Sequence, residues 1–137
     1  MDIIVKHGGK KYLGVLMVIT DTKLGKARRD DLAYTASLGL RSLDTTQTYT
    51  EGYYLTTNDN DKITGTAYGL DFIVRMMEVA GANTWEGMRG RVVYALYEGA
   101  PRSPLGRVCD GLAHHTKDKV FIFKDHRDEW AGADAAH

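Results

Sequence analysis

Two adjacent tyrosines, Tyr53 and Tyr54, two arginines around one loop, Arg102 and Arg107, and one histidine, His114, are the side chains whose types point to chemistry. Aromatic rings stack on nucleobases, and planar guanidinium groups grip phosphate through paired N–H donors. Residues of this kind suit a small nucleotide. Each also has an ordinary alternative. Tyrosine joins an apolar body to a polar tip and is commonly a half-buried packing residue. Arginines on a surface loop are commonly solvated.

Other groupings carry less. His114 and His115 stand beside Asp118, but neighbours on a strand point to opposite faces, so no metal site is expected. Cys109 falls in an expected strand and reads as a small buried hydrophobe rather than a nucleophile. The segment GAPRSPLGR, residues 99–107, lacks the spacing and the Lys-Ser/Thr end of a phosphate-cradling loop. Asp59 and Asp61 suit a turn, and Asp125, Asp128 and Glu129 suit a solvated tail. No serine–histidine–acid signature and no cofactor fingerprint is legible. The expectation is binding without catalysis and without a cofactor.

Composition sets the outer limits. The chain has 137 residues, with 18 basic and 18 acidic side chains and no formal net charge. A long nucleic acid or an anionic membrane normally requires a basic excess, so neither is expected as a partner. A single cysteine excludes an internal disulfide framework and fits a reducing compartment. There is no charged-then-apolar leader and no apolar run of the roughly 18 residues that a membrane span needs. These features predict a cytoplasmic protein.

The elements that must position these residues follow from hydrophobic period. Residues 12–20 (YLGVLMVIT) read as a buried strand, residues 32–40 alternate with period two, and residues 45–57 are strand-forming around Gly52. Residues 23–31 and 58–62 read as loops. A helix is expected from about Thr66 to Ala80, with Ala67, Leu70, Ile73, Val74 and Met77 on its buried face and Gly81 as its stop. Thr84 caps a tight turn, where Trp85 is expected to plug one end of the core beside Met88. Strands at 91–98, 107–114 and 119–124 follow, the first two joined by a hairpin loop over 99–106. The order β-β-β-α-β-β-β predicts an α+β fold, an antiparallel sheet with one main helix on one face. Residues 1–125 form one domain in this reading, and 126–137 a polar, flexible tail. A sheet covered on one side leaves an apolar face, which predicts a homo-oligomer.

The stretch from Gly65 to Lys124 resembles a widespread set of small phage-encoded proteins. Their motif is a helix, a turn of the form V-G-x-x-x-W-E-x-L-x-G, a strand, and an ending like I-G-H-I-x-x-D-x-W-F. The matching positions are Ala80, Gly81, Trp85, Glu86, Met88 and Gly90, then Gly111, Ala113, His114, Asp118 and Phe121. An earlier G-G-Y-x-L element is matched loosely by residues 51–55. The chain departs from the pattern at Tyr94, His115 and Val120. That set includes the Thoeris anti-defence 1 family, which the chain therefore resembles. That resemblance implies an oligomeric sponge that binds a cyclic ADP-ribose immune signal in the host cytoplasm and withholds it uncleaved. Tyr53, Tyr54, Arg102, Arg107 and His114 are the expected ligand-binding residues. A phage inhibitor that contacts a host defence protein directly, as anti-CRISPR proteins do, is the second reading. An enzyme acting on nucleotides is the third.

Overall fold

A computed structural model describes residues 2–102, 104 and 107–135, the last four by backbone alone. Part of the expected 99–106 loop and the end of the expected tail lie outside the described residues.

The sheet is organised around one long strand. Strand β2, Lys10–Gly25, has 16 residues and borders three others. Its first half pairs on one side with β1, Asp2–His7, and on the other with β8, Val92–Glu98. Its second half pairs with β3, Thr35–Ser42. Beyond β3 lie the short strands β4, Gln47–Tyr49, and β5, Tyr53–Tyr54. Beyond β8 lie β9, Gly111–His114, and β10, Val120–Ile122. All pairs are antiparallel. A separate hairpin, β6 (Thr56–Asp59) with β7 (Lys62–Gly65), leads into the helix α1, Ala67–Ala80. The fold class is therefore the expected α+β arrangement, with α1 over the sheet. The element order is richer than expected, because β1, the β6–β7 hairpin and a second helix were not anticipated.

The register of β2 shifts between Ile19 and Asp21, where Ile19 faces Leu40 and Asp21 faces Gly39. Thr20 is thus an extra residue, a β-bulge, and side chains change face across it. Before the bulge, Val15, Met17 and Ile19 enter the core. After it, Thr22 and Leu24 stand opposite the buried Leu38 and Ala36, while Asp21 and Lys23 turn to the outer face. An unbroken alternation would have aimed both charges at the core. Gly39 accommodates the bulge, since a β-carbon there would lie 3.1 Å from both Thr20 Oγ1 and the Asp21 β-carbon.

Helix α1 begins and ends where expected. The Thr66 hydroxyl accepts from Gly69 N at 2.9 Å, and Gly81 ends the helix in the left-handed region at φ 73°. Its buried face is rotated from the expected one: Ile73 and Met77 are partly buried against the core as expected, but Ala67 and Leu70 are not. Gly69, Phe72, Met76, Val79 and Ala80 are buried, whereas Leu70 is 69% exposed. Two apolar stripes lie side by side on this helix. The stripe containing glycine wins because α1 runs against the Leu55 backbone, where any β-carbon at position 69 would collide with the Leu55 carbonyl. Phe72 then meets Tyr53, Phe121 and Phe123 at ring-centroid distances of 5.3–6.0 Å.

The far face of the sheet is not open. Tyr12, Tyr94, Leu96, Ala113 and Ile122 are buried there, with Ile3 and Val5 of β1 and Val120 of β10 packed on the same cluster. These residues lie on one face of the adjacent strands β1, β2, β8, β9 and β10 and form a second buried cluster. The ground on which self-association was expected is therefore occupied from within the chain. Strand β1 is set by the turn at Gly8 and Gly9, whose φ values of 57° and 77° suit a two-residue hairpin. The residues read as a tail form helix α2, Phe123–Ala135. Phe123 and His126 on it are buried. Met88, fully buried, fills the place assigned to Trp85, which is only partly buried at the rim of the core.

Gly69→Ala tests this packing. Helix propensity alone favours alanine by about 1 kcal/mol, but the collision with Leu55 dominates. The substitution is expected to destabilise by about 1–3 kcal/mol in chemical denaturation, the usual cost of overpacking. A gain in stability would show that α1 sits farther from Leu55.

Candidate functional site

The outer face of the β2–β3 arm holds the most accessible aromatic surface. Along β3, the bulge and the register place Gly25, Thr35 and Tyr54 in one cross-strand row, Lys23 and Ser37 in the next, and Asp21, Gly39 and Tyr49 in a third. The small residues form a floor. Tyr54 and Tyr49 rise from it four β3 positions apart, about 13 Å along a strand. Two adjoining cavities of about 550 and 590 Å³ lie here, sharing Ala27, Thr35 and Gly52. Their volumes fall in the range of small-molecule sites. Tyr54 lines one, and Lys23 and Lys26 line the other.

The cations are held by rings. Lys23 Nζ stands 5.0 Å from the centre of Tyr49 and Lys26 Nζ 5.7 Å from that of Tyr34. Both distances are within cation–π range. Tyr54 is 69% exposed and Tyr49 52%, with Leu32 and Tyr34 exposed beside them. An ammonium group, a free ring face and backbone-level hydroxyls from Thr35 and Ser37 can together bind a planar anion.

The expected site residues are dispersed. Tyr54 is in the trough. Tyr53, its neighbour, points to the other face, 5.3 Å from both Phe72 and Phe123. Burial pushes its hydroxyl well above the ordinary tyrosine value. Alternation along β5 thus gives one tyrosine to the core and one to the surface. Arg102 and Arg107 are exposed on the segment after β8 and border neither cavity. His114 ends β9 and closes a turn, its Nδ1 accepting from Thr116 N at 3.1 Å and Lys117 N at 3.0 Å. Burial and the nearby positive groups lower its pKa. An imidazole used this way is neutral and committed to the turn. His115 has left the strand, so its ring stacks on His114 at 5.0 Å rather than facing away. Among the described residues no three metal-ligating side chains gather. Cys109 is buried and its thiol is pushed up to about 12 by burial.

A second cluster was not legible in the sequence. Asp71 of α1 receives the His126 Nε2 proton at 2.8 Å and Arg75 at 3.3 Å, beside a cavity of about 540 Å³ that Glu129 and Trp130 also line. Burial would raise the Asp71 carboxyl, but hydrogen bonds from His126, Arg75 and Trp130 outweigh it and hold it below its ordinary value. The His126 ring lies 5.1 Å from Tyr68, and its Nδ1 is buried without a hydrogen-bond partner. Among the described residues no hydroxyl or thiol reaches that nitrogen to be activated. The pair ties α2 to α1. Phe123, His126 and Trp130, at positions i, i+3 and i+7, were the available signal, diluted by the charged residues between them.

Two measurements separate packing from binding residues. Tyr53→Ala is expected to cost about 2–4 kcal/mol, below the top of the range for a fully buried aromatic because Tyr53 is half-buried, and Tyr54→Ala less than about 0.5 kcal/mol, as for an exposed side chain; equal losses in denaturant melts would contradict the division of faces. For Asp71, a depressed folded pKa contributes stability that is present above its unfolded value, near 3.8, and lost as pH falls through the folded value. Asp71→Asn should therefore lower stability at pH 7 and flatten its decline in strong acid, and an unchanged pH profile would remove the Asp71–His126 tie from the account. Comparison with family models, with curated proteins and with solved structures gives no match.

Proposed function

We propose that this chain is a phage anti-defence protein that binds a small nucleotide signal, of the cyclic nucleotide or cyclic ADP-ribose class, and withholds it without cleaving it. One observation carries the reading: exposed tyrosine rings and ring-held lysines border an open trough with a floor of small residues. Tyr54 or Tyr49 stacks on the base. Lys23 and Lys26 meet the phosphates, the role first assigned to Arg102 and Arg107. The groups gathered in the trough are suited to recognition, and the resemblance to the Thoeris anti-defence 1 family points the same way. Self-association remains part of the reading, on a surface other than the sheet face buried around Tyr12 and Leu96.

Direct contact with a host protein is the second reading. Leu24, Leu32, Tyr34, Tyr49 and Tyr54 are all exposed, and on the arm they could serve as anchors for a protein surface.

The test is depletion and recovery. The protein is mixed with cyclic nucleotides and cyclic ADP-ribose isomers, the free pool is assayed, and the protein is then heat-denatured. A depleted pool that returns chemically intact is expected. Tyr54→Ala should weaken retention roughly 5- to 150-fold, the range for losing one stacked base. Lys23→Ala should also weaken it, while Arg102→Ala leaves it unchanged. A chemically altered signal would make the protein an enzyme, and no depletion with a host protein co-purifying would favour the second reading.

A further inference from the structure

The β2 bulge leaves a sheet edge bare. Strand β8 accompanies β2 only as far as Val18, after which Ile19 exchanges two backbone hydrogen bonds with Gly90 and Arg91. From Asp21 to Leu24 the β3 side of β2 is paired, and from Thr20 to Leu24 no described strand pairs with the other side. An unpaired strand edge is a template for another strand. The residues along it select the partner. Asp21 and Lys23 are exposed on one face, two positions apart, with Thr22 between them. In an antiparallel pairing of this edge with itself, centred on Thr22, each Asp21 falls opposite a Lys23 of the other copy. Thr20 then falls opposite Leu24, whose side chain is exposed here. The sequence from 20 to 24 is thus self-complementary in charge when reversed.

We propose that a second copy of this chain pairs with the 20–24 edge of β2, antiparallel and centred on Thr22, through two reciprocal Asp21–Lys23 contacts. The contact is isologous and uses the same edge on both copies, so it stops at two subunits. Five residues on each side make a small interface, and a dissociation constant of roughly 1–100 µM is expected for contacts of this size. The proposal rests on the self-association part of the functional reading and not on the ligand.

Crosslinking and charge reversal test it in the full chain without nucleotide. Thr22→Cys should form a disulfide-linked dimer on mild oxidation, because directly opposed strand residues lie within disulfide reach. Leu24→Cys should not, because the two copies of position 24 would sit four residues out of line. The one native cysteine, Cys109, is buried and does not compete. In sedimentation at about 100 µM, Asp21→Lys alone and Lys23→Asp alone should each weaken the dimer roughly tenfold or more, since like charges then oppose each other. The double variant, Asp21→Lys with Lys23→Asp, should restore it. Far-UV circular dichroism confirms that each variant is folded, and the double variant decides the matter if one single variant is not. A 15.2 kDa monomer with unlinked Thr22→Cys overturns the proposal, as does a dimer that neither crosslinks at 22 nor recovers with the double reversal. Nucleotide retention by a protein that stays monomeric would overturn this proposal alone and leave the ligand reading intact.

Discussion

One extra residue in β2 decides which side chains this protein buries and which it displays. With Thr20 inserted opposite the Leu40–Gly39 step, the odd-numbered positions that fill the core up to Ile19 turn to the outer face beyond it. Asp21 and Lys23 reach water on the outer face as a result. The same shift sets the row in which Tyr49, Gly39 and Asp21 align, and the row in which Tyr54, Thr35 and Gly25 align. The trough depends on that change of phase. A strand of this length could not otherwise serve both a buried apolar half and a polar, displayed arm.

The inner face answers to a different constraint. Helix α1 approaches the Leu55 backbone as closely as glycine allows, and the rings of Tyr53, Phe72, Phe121 and Phe123 close around it. Helix α2 adds Phe123 and His126 to this ring cluster, and the Asp71–His126 hydrogen bond fixes its position. Residues 53 and 54 therefore connect the two faces through adjacent side chains, one locked among rings and one free in the trough.

Much of the frame was legible in sequence. The α1 limits followed from Thr66 and Gly81, and strand β8 from its unbroken run of apolar residues. The positions that carry the phage-protein resemblance are frame positions too. Gly81 ends α1, Met88 is buried in the core, and a β-carbon at Gly111 would collide with the Phe121 carbonyl. They speak to how the chain folds more than to what it binds. The α1 face was misjudged because two apolar stripes compete and only tertiary contact with Leu55 chooses between them. Strand β1 was missed although Gly8-Gly9 is a hairpin signal, and the β6–β7 hairpin was read as loop because Asn60 and Asp61, both at positive φ, looked like irregular chain. The trough was half legible. Tyr54 carries its signal in its ring, but Lys23 and Lys26 read as a solvated turn, because the bulge that sets Lys23 beside Tyr49 and Ser37 leaves no mark in local pattern.

The central claim is that the outer face of the β2–β3 arm is the binding surface, and backbone chemical-shift mapping with a bound nucleotide tests it most directly. Titration of the labelled protein is expected to move the amides of Lys23, Lys26, Ser37, Tyr49 and Tyr54 together. Arg102, Arg107 and the Asp71–His126–Trp130 cluster should stay still. Shifts that gather instead around the arginine segment or the α1–α2 cleft, with the arm unmoved, would contradict the account.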